Sequence, residues 1–107
     1  MINNYKKLVS FVNSLEKESK AIILYCWKND WAPIKELSKF IAAKNDSYTL
    51  FKIKEVINTE ALKLFDKPAL VFKEKAVDPL TKEIVTFAWW FNFETPKKEI
   101  FRIRVKA

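Results

Sequence analysis

Apolar residues recur every three to four positions in the first half of the chain and, in the clearest stretches of the second half, every two. That change of period separates a helical half from a strand-rich half. From Asn4 to about Leu15, the residues Leu8, Phe11, Val12 and Leu15 stand at i, i+3, i+4 and i+7 and define one helix face. Asn13, with Glu16 three residues later, marks a helix restart, and a second helix is predicted to about Asn29. Leu15, Ile22, Ile23, Cys26 and Trp27 share its apolar face and Leu24 and Tyr25 widen it, as expected of a central, buried helix. Asn29-Asp30 reads as a turn, Trp31-Ala32 follows, and Pro33 opens a third helix that reaches Lys44 with Ile34, Leu37, Phe40 and Ile41 inward. A short turn capped at Asp46 or Ser47 leads to a fourth helix, from Tyr48 to about Asn58. Leu50, Ile53, Val56 and Ile57 form its inner face, and Tyr48, Thr49, Lys52, Glu55 and Asn58 its outer face. Residues 59–65, TEALKLF, add a further short turn.

Three strands are predicted beyond it, over 69–77, 84–93 and 100–106, separated by turn-rich segments at 78–83 and 94–99. In the middle strand Val85, Phe87, Trp89, Phe91 and Phe93 alternate to one side, and in the last strand Phe101, Ile103 and Val105 do the same. The simplest arrangement is an antiparallel meander that sets Trp90 opposite Arg104 and Asn92 opposite Arg102. With no repeat, low-complexity segment or linker, residues 1–107 read as one domain of the α+β class: three to four helices followed by a small antiparallel three-stranded sheet.

Composition narrows the chemistry. Half of the residues are apolar and 15% are aromatic, enough for a core built on large rings. There is no His, the commonest general base and metal ligand, and no Gly, so no phosphate-cradling glycine loop. The single Cys26 lies in the apolar run AIILYCW and reads as structural. Asp30, Asp46, Asp66 and Asp78 are not spaced as DxD or ExxE pairs that would hold magnesium. These features point away from an enzyme and imply neither cofactor nor metal. The longest apolar run, Ala21–Trp27, is seven residues, well under the ~20 of a membrane span. No signal peptide is legible at the N-terminus, so a cytoplasmic, membrane-free setting is expected. Abundant Lys, Ile, Asn and Phe without Gly suggests an AT-rich or viral genome.

The formal charge is +7, spread evenly as +2 over residues 1–31, +2 over 32–67 and +3 over 68–107. An acidic partner is expected, with nucleic acid foremost. The order helix, helix, turn, helix, strand, strand is carried by AIILYCWKND, APIKELSKFI, SYTLFKIKEVI and PALVFKEKAVDPLTKEIVTFAWW. Over roughly residues 15 to 93 it resembles the winged helix-turn-helix superfamily. The resemblance implies that the helix after the turn enters the DNA major groove and that the hairpin forms the wing. Carried over, Tyr48, Thr49 and Lys52 would face bases or phosphates, Lys54 would flank them, and Lys82 would stand at the wing tip. The chain departs from that pattern in having no Gly in the turn and no Arg, the commonest base reader, on the helix. Glu55 on the same face would repel phosphate. The implied role is a small DNA-binding transcriptional regulator.

A second constellation is Trp90, Ile100, Arg102 and Arg104, on the outer side of the last two strands. Trp and Arg together favour an interface with an acidic protein partner or a second copy of the chain. The alternative role is therefore a protein–protein interaction module, such as a small viral or phage inhibitor of a host complex.

Overall fold

The structure, a computed structural model, describes residues 5–102. Helix α1 (Tyr5–Ser14) buries Leu8, Phe11 and Val12, the face its spacing predicts. The restart falls three residues later than the Asn13 signal, with Glu16 as the cap. Glu16, with extended backbone, caps α2 (Lys17–Asn29) by accepting from the Ser19 and Glu18 amides at 2.7 and 3.2 Å. Helix α2 is the centre of the molecule, with Ile22, Ile23, Cys26 and Trp27 fully or almost fully buried. Its C-terminal carbonyls are covered from a distance in sequence: Lys97 Nζ donates to the Trp27 and Lys28 carbonyls at 3.3 and 3.0 Å and to Asp30 at 2.7 Å.

Trp31-Ala32, read from sequence as a link, is strand β1. Pro33 is the N-cap of α3 (Ile34–Phe40) and not its first helical residue, so α3 starts one residue later than expected and ends at Phe40 instead of reaching Lys44. The closure is a glycine-type helix end made without glycine: the Ala42 amide bonds Lys39 O, the Ala43 amide bonds Ser38 O, and Ala42 sits at φ 54. Asn45, and not Asp46 or Ser47, caps α4 (Asp46–Phe51) through its bond from the Tyr48 amide at 2.9 Å. Helix α4 continues unbroken through a π-helical segment (Lys52–Ile57) into α5 (Asn58–Phe65). The fourth helix and the short turn read from sequence are thus one rod. Asp66, at φ 59, ends it.

Strands β2 (Leu70–Val77) and β3 (Ile84–Phe91) form an antiparallel hairpin. The sheet is antiparallel and three-stranded, in the order β1-β3-β2. Among the described residues the third strand is therefore Trp31-Ala32, and 100–102 is not strand. Residues Lys97–Arg102 form a 3-10 helix, and residues 103–106 lie outside the described residues. The expected register fails with it: Trp90 pairs with Trp31 on one side and Val71 on the other, and Asn92 bonds Pro68 O through its side chain at 2.8 Å.

The sheet's inner face closes on α2, where Trp27 stacks on Phe91 at 5.2 Å and 10°. Phe93 meets Phe65 at 4.9 Å, and Phe65 meets Phe11 at 5.6 Å, so aromatic contacts run from β3 to α1. Asn58, expected on an outer face, instead turns to the sheet. Its Oδ1 accepts from the Ala69 and Leu70 amides at 2.9 and 3.0 Å, and its Nδ2 donates to Leu70 O at 3.0 Å.

Two stability measurements follow. Asn58→Ala leaves three backbone groups at the start of β2 without their partner, and urea denaturation should show a loss of about 2–3 kcal/mol. Ala42→Gly relieves the left-handed alanine and should gain about 0.5–1 kcal/mol on the same assay.

Candidate nucleic-acid interface

Two surfaces bear on the sequence expectations: the α3–turn–α4 unit and the outer face of the sheet. In the first, Lys35 and Asp46 form an ion pair at 3.1 Å that ties α3 to the start of α4. Beneath them Ser38 Oγ donates to Thr49 Oγ1 at 2.8 Å, and Thr49 is completely buried. Thr49 therefore cannot face a ligand. It packs in line with Ile53, Ile57 and Ala61, a stripe at four-residue spacing. Such a stripe drifts about 40° per step around an ordinary α-helix. The wider π-helical turn over Lys52–Ile57 takes up that drift and keeps the stripe on the core.

Tyr48 and Lys52 belong to the side that meets α2. The Tyr48 hydroxyl donates to Glu18, and Lys52 pairs with Glu16 at 3.3 Å and Glu18 at 3.7 Å, its side chain only 15% exposed. Lys52 also lies over the Tyr48 ring at 5.4 Å. The bond to the Glu18 carboxylate raises the Tyr48 pKa. Burial pulls the Lys52 pKa down, but the Glu16 carboxylate outweighs it and leaves Lys52 raised. Burial likewise pushes Glu16 up, yet bonds from Ser19, Glu18 and Lys52 together hold it below its ordinary 4.5. This cluster clamps the start of α2 to α4. What α4 and the π-helical segment present outward is Ser47, Tyr48, Phe51, Lys54 and Glu55, all exposed, with the Tyr48 hydroxyl engaged by Glu18. Phe51 was not singled out from sequence because its apolar side chain fitted neither the inner stripe nor a polar face.

Lys82 is exposed in the β2–β3 loop at φ 66. The loop is organised by Asp78, whose carboxylate accepts from the Leu80 and Thr81 amides at 2.8 and 3.1 Å. Those bonds, Thr81's first, lower the Asp78 pKa. Leu80 stands at the tip, 91% exposed. The four aspartates weighed as magnesium ligands are all turn or cap residues: Asp30 and Asp66 at positive φ, Asp46 in the Lys35 pair, and Asp78 in its loop. Among the described residues no group of three or more His, Cys, Asp or Glu could hold a metal ion. Burial pushes the Cys26 thiol up to about 12, so it is not a thiolate at neutral pH.

On the outer face of the sheet, Arg104 and the side chain of Arg102 lie outside the described residues. Ile100 is half-buried against the core, and with Leu24, Tyr25, Lys28, Asn29 and Phe40 it lines a shallow groove between α2 and α3. Trp90 instead sits beside Trp31, ring centroids 6.4 Å apart, with Lys73 Nζ 4.7 Å above its ring. Lys75 Nζ lies 4.5 Å above Trp31. Among the described residues, indole–cation pairs on this face are made by Trp90 with Lys73 and by Trp31 with Lys75. Strand 69–77 was legible, but without β1 there was no reason to align Lys73 and Lys75 with two tryptophans.

Comparison with protein-family models, with curated proteins and with solved structures finds no match to this chain.

The clamp gives a pH prediction. Because the folded Glu16 pKa lies below its ordinary 4.5, the stabilisation is complete above that pH and is lost as pH falls through the lower folded value. In Glu16→Gln, thermal melts should show a loss of a few tenths to about 1 kcal/mol at pH 7. They should also show a shallower decline below pH 4.5 than in the parent chain.

Proposed function

We propose that the chain is a winged-helix-like DNA-binding module. The observation that carries the reading is the tether between the hairpin and the helix pair. Strand β1 lies between α2 and α3 and pairs with β3, and the Phe91 amide bonds Asp30 O at 3.0 Å. The β2–β3 hairpin is therefore fixed to the same helices that present the α3–α4 turn. A loop carrying Lys82 and a helix exposing Ser47, Phe51 and Lys54 would then be the two contact elements that the winged-helix resemblance implies. The charge of +7 supports the same class of partner.

The contact set differs from that implied by sequence. Lys54 and Lys82 remain as phosphate contacts, whereas Thr49, Tyr48 and Lys52 serve the interior and the clamp. With no Arg on the outward strip, phosphate contacts dominate over base reading, and the role is closer to architectural binding than to stringent site selection.

Fluorescence anisotropy of labelled duplex DNA at ~50 and ~200 mM salt tests this, because phosphate-driven binding weakens by orders of magnitude over that range. Lys54→Ala and Lys82→Ala should each weaken binding and lower the salt slope by about 1. Lys52→Ala should lower stability and leave the slope unchanged. Failure to bind duplex at ~50 mM salt overturns the reading.

One observation favours a second reading, a protein-interaction module. Phe72 and Phe87 stack at 5.0 Å and 15° yet remain 54% and 44% exposed. An exposed aromatic pair of this kind suits a protein contact, and self-association by sedimentation would be its first sign.

A further inference from the structure

Residues that pair directly across an antiparallel sheet share a face. The pairs Trp31↔Trp90↔Val71 and Lys73↔Ala88 therefore stand on the side of the sheet opposite Phe91 and Trp27. Glu74 pairs with Phe87 and belongs to the other side. The register shifts between Glu74 and Ala76, so Lys75 sits in a bulge, and its ammonium lies over Trp31 on β1. Strands β2 and β1 are two spacings apart, about 10 Å, so the Lys75 side chain has to cross β3. It can do so because Ala88, completely buried, offers only a methyl group there. The result is two half-buried indoles side by side, each with an exposed lysine laid over its ring, and no carboxylate at any paired position of that face. Trp90 Nε1 is buried without a hydrogen-bond acceptor among the described residues.

We propose that this outer sheet face is a second nucleic-acid surface that takes a single strand, stacking bases on Trp31 and Trp90 and pairing phosphates with Lys73 and Lys75. The inference rests on the nucleic-acid reading above for the class of partner. The chemistry selects a single strand over a duplex: indole rings engage the faces of bases, and a duplex offers only base edges and its backbone. The lysines are placed for both states. In the free protein they cover the rings, and when a base takes the ring face each ammonium swings to the adjacent phosphate. An apolar protein partner would instead have to bury both ammonium groups on a face with no carboxylate at its paired positions.

The test is anisotropy of a labelled oligothymidylate and of a labelled duplex, both at ~50 mM salt, with the full chain. The double variant Lys73→Glu/Lys75→Glu changes two exposed side chains and should weaken single-strand binding at least tenfold, with duplex binding changed far less. Trp31→Leu keeps bulk at the edge strand and should weaken single-strand binding about tenfold while the charge is unchanged; thermal melts confirm that each variant is folded. In the parent chain the single-strand salt slope should exceed that of the double variant by about 1.4, two phosphate contacts. Duplex binding without single-strand binding overturns this inference and leaves the helix-and-loop reading intact. Single-strand binding that survives both variants overturns it as well. No binding of either ligand removes both.

Discussion

The pairing of two residues, Trp31 and Ala32, with β3 is the constraint on which the rest of the molecule depends. A lone β2–β3 hairpin is marginal in water, and a third strand with a covered face is what makes a small sheet stable. Here the third strand comes from the helical half of the chain. Two halves that sequence alone separates by period are joined by hydrogen bonds between residues 31–32 and 89–90. The same link fixes which side of β3 meets α2. Ala32 and Trp89 point inward with Phe91, and Trp31 and Trp90 point outward.

The long-range consequence of so short a strand explains what was legible beforehand. The buried faces of α1 and α2 were readable, because Leu8, Phe11, Val12, Ile22, Ile23, Cys26 and Trp27 repeat at helical spacing and nothing competes with that signal. The α+β class and the β2–β3 hairpin were readable from the switch to alternation and the turn residues of 78–83. The two-residue strand was not, since two residues carry no period. Without it, 100–106 was the natural candidate for a third strand, and its alternation of Phe101, Ile103 and Val105 with Arg102 and Arg104 was taken at face value. The described part of that stretch is 3-10 helix, placed where Lys97 can satisfy the end of α2.

The candidate interface was misread for a second, separate reason. Assigning Thr49 and Lys52 to an outer face, where only their neighbour Tyr48 is exposed, assumes 3.6 residues per turn throughout. The π-helical segment begins at Lys52, and the inner stripe of Thr49, Ile53, Ile57 and Ala61 follows a spacing of four. A serine on α3 that can bond Thr49, and two glutamates at the start of α2 that can receive Tyr48 and Lys52, then settle which side faces in. None of these partners is adjacent in sequence, so polarity alone suggested exposure. Polar residues on a helix are outward only when nothing inside is built to receive them.

Glycine is absent, and this bears on function as well as on turns. Ala42 and Lys82 take left-handed backbone that glycine would take freely, and each is held by its surroundings. The Ala42 end of α3 sets the start of α4, and Lys82 is held by the bond of its amide to Asp78 O at 2.8 Å. A loop in which Asp78 accepts three backbone amides is ordered before any ligand arrives. Under the proposed function, Lys82 would therefore lose less entropy on binding than it would from a flexible glycine loop. Charge in this molecule is accordingly used in two ways. Lys35, Lys52 and Lys97 hold elements of the fold together, each through a named carboxylate. Lys54, Lys73, Lys75 and Lys82 are exposed at the two surfaces. A net charge distributed evenly along the sequence becomes, in three dimensions, one set of lysines that fixes the shape through carboxylate partners and a second set exposed at the two surfaces.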